Sequence, residues 1–249
     1  MRPFIFGCVL TLALTALFGS AVERSTSEQA LKCSVTVGGN GSGVLHTTSD
    51  GQVWVWTAAH VVEHLRGKAA DGTIHFQEVT VSQFETGETS SDNRRRSAAR
   101  VVKYSDYHNA VDLAVLQVAD HGFTQKGASF YASDRELPLG VNVWHVGSPQ
   151  GSRWANTLFS GTLGRHAWEF SGQTYDNYAM TVFPGCSGGG VFLKSDGRLL
   201  GLVVRQTPGA WVVPVQQMIA WANENNMPWA YRKDLNGPSD VELARLPVE

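Results

Sequence analysis

The stretch Phe183-Pro184-Gly185-Cys186-Ser187-Gly188-Gly189-Gly190 governs how the rest of this sequence is interpreted. It sets one serine in a run of glycines between two apolar segments. Glycine reaches backbone conformations that other residues avoid, and it lets another chain come close. A nucleophilic serine needs such a turn, because its Oγ must protrude while nearby N–H groups converge on a developing oxyanion. A plain glycine-rich turn between two strands explains the octapeptide equally well, so the remaining sequence has to decide.

The overall composition is that of a globular, turn-rich protein. The 249 residues can bury one large core or two small ones. Hydrophobic residues make up 43% and charged residues 17%, which is not a disordered composition. The formal net charge of −2 gives no electrostatic footprint for nucleic acid, so no nucleic-acid partner is expected.

Residues 1–21 have the pattern of a secretion signal. Met1-Arg2 is a basic start, the segment from Phe4 to Phe18 is apolar, and Gly19-Ser20-Ala21 supplies small residues before a cut ahead of Val22. A membrane anchor is the alternative, but about 20 apolar residues are needed to span a bilayer. The sequence therefore predicts a secreted or periplasmic protein with no stable membrane association after the signal is removed.

Three cysteines occur in the chain, and one of them lies in the predicted signal. Cys8 would leave with that segment, which leaves Cys33 and Cys186 in an oxidising compartment. A bridge between these two is a possibility that the sequence leaves open, because spacing in sequence gives no distance in space.

Most of the sequence after residue 30 has β chemistry. Short runs rich in β-branched and aromatic residues, such as Val53–Thr57, alternate with Gly-rich turns. Many short strands at regular spacing predict an all-β sandwich or barrel. One clear helix is predicted at 215–225, and the segments 22–30 and 227–249 are expected to be a loose lead-in and an extended C-terminal tail.

A serine hydroxyl needs a base, usually histidine, and a carboxylate that orients the base. His60 follows a strongly hydrophobic strand that ends in Thr57-Ala58-Ala59. Asp112 begins the apolar strand Asp112–Leu116, where an isolated charge is costly unless it is paired. Taken singly, His60 also fits a helix-start histidine and Asp112 a strand-start turn residue.

Taken together, the order His60, Asp112, Ser187 resembles the chymotrypsin-like (trypsin-like) serine peptidases. The likeness is carried by Thr57-Ala58-Ala59-His60, Asp112–Leu116 and Gly185–Gly189, and it covers roughly residues 31–226. Smaller motifs are closer to the bacterial Deg/HtrA proteases and the staphylococcal glutamyl endopeptidases: Gly41-Ser42-Gly43-Val44, Val146–Gly151, Ser160–Gly164, Asp196–Gly201 and Val213-Pro214-Val215.

This resemblance implies an all-β fold of two six-stranded antiparallel barrels, at about 31–119 and 127–215, with the active site between them. His60 would be the general base, Asp112 would orient it, and Ser187 would attack protein or peptide substrates. The N–H groups of Gly185 and Ser187 would form the oxyanion hole. No metal or cofactor is implied, and the chain is expected to act as a monomer.

The resemblance also implies a substrate pocket, and one position departs from the family pattern. Thr181 would lie at the pocket base, with these residues along its walls: Val204, Arg205, Gln206, Ala210, Trp211 and Val212. The absence of a carboxylate at the base favours an uncharged, apolar substrate side chain. Cys186 stands where relatives often have Asp or Asn, so it cannot pair with a newly formed N-terminus, and no activation by N-terminal trimming is expected.

Two other functions compete with this interpretation. His60-Val61-Val62-Glu63-His64 matches the His-x-x-Glu-His signature of inverted zinc peptidases, in which two histidines bind zinc and Glu63 is the base. That match leaves the glycine run around Ser187 unexplained. A protease fold used only for binding is the second alternative, although such relatives usually lack a residue of the triad.

Overall fold

Two closed antiparallel barrels of six strands each make up the computed structural model, which describes residues 21–84, 94–120, 123, 127–151, 156–206 and 208–249. The all-β, two-barrel fold expected from the sequence is therefore confirmed. Barrel one has the strand order β1-β2-β3-β8-β7-β6. Its strands are β1 (Ser34–Val37), β2 (Gly41–Thr47), β3 (Val53–Thr57), β6 (Val79–Phe84), β7 (Arg94–Tyr104) and β8 (Ala114–Val118). A separate two-stranded sheet joins β4 (Arg66–Lys68) to β5 (Ile74–Phe76).

Barrel two closes in the order β10-β11-β14-β13-β12-β9. Its strands are β9 (Asn142–Gly147), β10 (Thr157–Phe170), β11 (Gln173–Ala179), β12 (Gly190–Leu193), β13 (Leu199–Gln206) and β14 (Ala210–Pro214). Strands β10 and β11 continue beyond the barrel as a hairpin whose register shifts twice. Strand β11 ends at Ala179, and the following residues belong to the loop before Ser187.

Strand β3 passes through the core of barrel one. All five residues of β3 are buried, and Trp54 and Trp56 are among the largest fully buried side chains. β-Branched and aromatic side chains pack well on a pleated surface, which explains why this segment was recognisable as a strand.

Short helices link and flank the barrels. A helix, α1, covers residues 21–32, so the expectation of a loose lead-in was wrong. Thr26 is buried there and donates to the Lys194 carbonyl of barrel two at 2.9 Å. Helix α2 (Ala59–Val62) continues into a 3-10 turn at Glu63–Leu65, and α3 (Val215–Glu224) follows β14 as predicted.

The segment after α3 is not an extended tail. It contains a 3-10 turn at Pro228–Ala230 and a helix, α4 (Asp240–Arg245), whose N-terminus has a Ser239–Glu242 capping box. This segment returns from barrel two to barrel one, where the Val248 carbonyl accepts from Tyr104 N at 2.7 Å. Within the described residues, no helix is long and apolar enough to cross a membrane.

Candidate active site

Strand pairing in barrel one brings His60 and Asp112 together. Strands β3 and β8 are antiparallel, and the last residue of β3, Thr57, lies opposite the first residue of β8, Ala114. His60 comes three residues after Thr57, and Asp112 comes two residues before Ala114. The two side chains therefore meet at one end of barrel one, although 52 residues separate them in sequence.

Both oxygens of the Asp112 carboxylate bind His60. Oδ1 accepts from the His60 backbone N–H at 3.0 Å, and Oδ2 lies 2.7 Å from Nδ1 of the ring. The aspartate side chain is 5% exposed and the histidine side chain 30% exposed. The buried carboxylate is thus fully paired, and it fixes the start of α2 as well as the orientation of the ring. The Tyr107 ring packs edge-on against His60, with 5.9 Å between the ring centroids.

Ser187 lies in a turn that touches the same end of barrel one. Its carbonyl accepts from Ser42 N on β2 at 2.8 Å, and Gly188 N donates to the Val203 carbonyl on β13 at 2.7 Å. Gly188 has φ +82°, and a Cβ at this position would collide with the Ser42 carbonyl and the Thr57 hydroxyl. Glycine is required here for conformation and for space, and its closeness to Thr57 sets the serine turn beside the segment that leads to His60.

The turn before Ser187 contains two N–H groups that have no acceptor in the part of the chain that the structure describes. Among the described residues, no acceptor receives the N–H of Gly185 or Ser187, whereas Cys186 N donates to the Phe183 carbonyl at 2.9 Å. The Pro184 carbonyl accepts from Gln150 N at 2.8 Å. Because C=O and N–H point in opposite directions across a trans peptide, this bond turns the Gly185 N–H away from Gln150.

Gly185 rests against the turn formed by residues 148–151, which carries one of the motifs shared with the Deg/HtrA proteases. Its φ is +96°, and a Cβ there would collide with the Ser148 carbonyl. Gln150 and Gly151 also have positive φ angles, of 57° and 76°. The 148–151 turn is therefore a shaped support for the turn that carries Gly185 and Ser187.

Ser42 links this support to both barrels, a role that sequence reasoning missed. Its hydroxyl donates to the Gly185 carbonyl at 2.7 Å and accepts from Ser148 N at 2.8 Å. Its carbonyl accepts from the Thr57 hydroxyl at 2.7 Å, in addition to the bond from its N–H to Ser187. The residue is 1% exposed, so all four bonds are shielded from water. The Gly41–Val44 motif was the available signal, but it gave no partner for the hydroxyl.

The residues expected to form the substrate pocket divide into two groups. Thr181, Arg205 and Gln206 are exposed, as a substrate-contacting surface requires. The other four are buried at 0 to 5% exposure, as inward-facing strand residues or, for Trp211, under an aromatic cluster: Val204, Ala210, Trp211 and Val212. These four side chains therefore differ from the open pocket walls expected from the sequence: β13 and β14 turn Val204, Ala210 and Val212 into barrel two, and the aromatic cluster covers Trp211.

Cys33 and Cys186 are separate, buried thiols, so the possible bridge is not formed. Cys33 Sγ donates to the Gln29 carbonyl at 3.1 Å at the end of α1, while Cys186 lies against Gly147 in barrel two. Burial raises the pKa of Cys33 to about 12 and also raises that of Cys186. With 1% exposure, Cys186 is a poor candidate for a nucleophile beside Ser187.

The geometry around Glu63 does not favour the zinc-binding alternative. Glu63 accepts from the Tyr107 hydroxyl at 2.6 Å and lies 3.2 Å from His108 Nε2, while Asp112 already occupies His60 Nδ1. Within the described ranges, no group of three His, Cys, Asp or Glu side chains is arranged to hold a metal ion. Helix α2 also ends at Val62, so His60 and His64 do not share one continuous helical face.

Comparisons with known proteins agree with this fold and define the family of the chain. The trypsin-like peptidase domain model matches residues 41–202, and the chain belongs to that family. The serine protease Do-like HtrA of Lactococcus lactis subsp. lactis (strain IL1403) is 28% identical over 197 residues, which cover 76% of this chain and 41% of the relative. The protein of the same name from Bacillus subtilis (strain 168) is 30% identical over 199 residues, covering 76% of this chain and 36% of the relative.

Solved structures support the same fold. The crystal structure of Deg5 aligns with a TM-score of 0.61 and 21% identity, covering 81% of this chain and 92% of Deg5. At this identity the likeness speaks for the fold alone. The chain spans less than half the length of the HtrA relatives that it matches.

Proposed function

We propose that the protein is an exported serine endopeptidase that hydrolyses peptide bonds in protein substrates with His60, Asp112 and Ser187. The observation that carries the proposal is the buried Asp112 carboxylate, which binds both the backbone and the ring of His60 beside the Ser187 turn. A carboxylate can only accept, so Nδ1 carries the proton in the resting site and Nε2 is free to act as base.

In the proposed reaction, His60 Nε2 takes the Ser187 proton as Oγ attacks the carbonyl carbon of the scissile bond. The N–H groups of Gly185 and Ser187, which have no acceptor among the described residues, donate to the oxyanion of the tetrahedral intermediate. His60 then protonates the leaving amine, and water hydrolyses the acyl-enzyme by the same route.

A fluorophosphonate probe tests the proposal, because it labels a serine only when the serine is activated. We expect stoichiometric labelling of the protein that begins at Val22, with the label on Ser187 by peptide mass spectrometry. Ser187→Ala should lose labelling and hydrolysis of denatured casein, while Ser25→Ala, which removes an exposed hydroxyl on α1, should keep both. Labelling of Ser187→Ala at the parental rate, or loss of activity only with a chelator, would refute the assignment.

Export is the second part of the proposal. Residues 1–20 lie outside the described residues, and the motif Gly19-Ser20-Ala21 supports cleavage ahead of Val22. A cut there would leave almost all of α1 on the mature protein, including buried Thr26. N-terminal sequencing of exported material should give Val22, and an intact Met1 in a membrane fraction would contradict the proposal.

A further inference from the structure

We propose that Arg205 forms a substrate subsite that binds an acidic side chain close to the scissile bond. The inference rests on the proposed peptidase function and deepens it, since the expectation from sequence was only an uncharged, apolar preference. The observations that carry it are the open edge of β13 among the described residues, the exposed guanidinium on that edge, and the Phe170 ring that packs against the guanidinium.

Strand β13 runs past the Ser187 turn and leaves one edge open. Strand β12 pairs with β13 only as far as Leu202, and the next bonds on that side join Val203 to Gly188 and Gly189. Beyond Val203, the described residues pair with β13 only from β14. An extended peptide can add to such an open edge through main-chain hydrogen bonds.

Arg205 lies two residues along this edge from Val203, the residue that bonds to the turn carrying Ser187. Strands rise about 3.3 Å per residue, so Arg205 is about 6–7 Å beyond Val203 and matches a substrate residue two positions from the one at Ser187. The side chain is exposed. In the described part of the chain, no carboxylate lies within ion-pair distance of its guanidinium.

The extended β10–β11 hairpin positions this charge. We use the name aromatic hairpin for its residues Trp168, Phe170 and Tyr175, whose rings pack on Trp211 with centroids 4.8 to 5.7 Å apart. The Arg205 guanidinium lies 5.2 Å from the centre of the Phe170 ring. A cation over an aromatic face keeps its charge but loses freedom, so the group is preorganised for a carboxylate.

Arg205 also lies within electrostatic range of Tyr107, the residue that packs on His60. The hydrogen bond to Glu63 raises the pKa of Tyr107 to about 12, and the charge of Arg205 opposes this rise. Burial raises the pKa of Tyr175, and Arg205 opposes that rise as well. Its charge therefore acts between the aromatic hairpin and Tyr107, which itself packs on the His60 ring.

The test begins with the bond that the enzyme cuts fastest in denatured casein. An internally quenched peptide of that sequence is made with Glu, Gln or Lys at each of three positions on either side of the bond. We expect kcat/KM for Glu to exceed that for Gln by about fivefold at one position, the third residue from the bond, which lies two residues beyond the one at Ser187, as for a partly exposed ion pair. High salt should reduce this ratio.

Variants of Arg205 distinguish electrostatic recognition of the substrate from a purely structural role. Arg205→Gln should bring the Glu-to-Gln ratio to about one, Arg205→Glu should favour the Lys peptide, and Arg205→Lys should retain part of the preference. Arg245→Gln, which removes an equally exposed charge from α4, should leave the ratio at its parental value. Equal loss on the Glu, Gln and Lys peptides would indicate a merely structural Arg205 and overturn the inference.

The outcomes also distinguish this inference from the proposed function. Hydrolysis and Ser187 labelling without any Glu preference would refute the Arg205 subsite and leave the peptidase proposal standing. Absence of both hydrolysis and labelling would refute the peptidase proposal, and the subsite with it.

Discussion

Barrel one holds the His60–Asp112 pair through its own strands, whereas barrel two holds the Ser187 turn partly through a residue of barrel one. The first pair depends on Thr57 lying opposite Ala114 in a single sheet. The second arrangement depends on Ser42, whose hydroxyl and N–H reach across to the 185–187 turn. The proposed acid–base pair is therefore local to one barrel, while the turn proposed to bind the oxyanion depends on the interface between the two.

This difference predicts which substitutions should affect catalysis alone and which should affect both catalysis and stability. A change inside the barrel-one pair should remove catalysis without loosening the molecule. A change at the interface should alter catalysis and stability together, because the same bonds position the turn and join the barrels.

The largest effect is expected for Asp112→Asn. An amide can still accept from the His60 backbone, but its NH₂ group faces Nδ1 and favours the wrong imidazole tautomer, so kcat should fall by about 10⁴. Steady-state hydrolysis of the quenched peptide and a thermal melt measure the two properties. Asp134→Asn, in an exposed loop, is the matched control, and a melting temperature that collapses together with kcat would contradict a purely local role.

Ser42→Ala is expected to be less severe for catalysis but to affect both properties. It leaves the Gly185 carbonyl and the Ser148 N–H without their buried partner, which costs about 1–3 kcal/mol of unfolding free energy for each group. Displaced oxyanion donors should lower kcat by about 10- to 100-fold, less than the loss of a donor outright.

Thr36→Val provides the control for this variant. Thr36 also bridges the barrels, through a 2.8 Å bond to the Ser148 hydroxyl, but it does not touch the 185–187 turn. It should lose stability with little change in kcat. If both variants lose stability to the same extent and neither loses kcat, Ser42 does not position the oxyanion turn.

Removal of α1 should affect stability more than chemistry. Since no activation by N-terminal trimming is expected, proteins that begin at Val22 or at Leu31 should have equal kcat. The structure adds a difference in stability, because loss of the Ser34–Ala30 and Thr26–Lys194 bonds should cost about 2 kcal/mol. Urea unfolding should reveal the difference, while kcat per folded molecule should match. Extra residues ahead of Val22 should leave kcat unchanged, and activity from only one exact N-terminus would contradict this.

The smallest effect is expected at His166, at the base of the β10–β11 hairpin. Burial favours its neutral ring, but the Leu137 carbonyl at 2.8 Å and the Asp176 and Glu136 carboxylates outweigh burial and raise its pKa. Both ring nitrogens face acceptors, which suits the protonated ring. A raised folded pKa stabilises the fold below the unfolded value, near 6.5, and this stabilisation is lost as pH rises through the folded pKa.

The melting temperature between pH 6 and pH 9 measures this contribution. The parent protein should lose more stability over that range than His166→Gln. Burial raises the pKa of Asp176 above its ordinary value as well, and this carboxyl is present in both proteins. Parallel curves of melting temperature against pH for parent and variant would mean that protonation of His166 does not contribute to stability.

Features with strong local chemistry could be predicted from the sequence. The strand Val53–Thr57, the turns at α2 and the helix after Pro214 all lie where hydrophobic pattern and proline indicate. The pairing of His60 with Asp112 could be predicted, because the order of these residues and their neighbours is specific although each residue alone was ambiguous. The catalytic roles of His60, Asp112 and Ser187 stay a prediction. The capping box Ser-x-x-Glu at Ser239 was a readable helix signal that we overlooked.

Features that depend on contacts between distant segments could not be predicted. Helix α1 is polar in sequence, and its buried residues Thr26 and Ala30 fix it in place. Thr26 does so through a bond to Lys194, which is 168 residues further along the chain. Val204, Ala210 and Val212 are buried because their side chains are on the strand face that points inward. A bulge between Val203 and Arg205 shifts the alternation, so the side chains after it point to the other face than the sequence pattern predicts. The role of Ser42 could not be predicted, because the partners of its hydroxyl, Gly185 and Ser148, are far away in sequence.

The return of the C-terminal segment to barrel one has a consequence for the order in which the molecule can be completed. Trp229 packs on Trp54 with 4.2 Å between ring centroids, and the Ala230 carbonyl accepts from Trp56 Nε1 at 2.7 Å. Barrel one thus receives part of its core from residues that follow barrel two. As the chain emerges from N- to C-terminus, the first barrel stays unfinished until the second has been made. The proposed nucleophile, Ser187, and its proposed base, His60, would then reach their final positions together, late in folding and in one cooperative step.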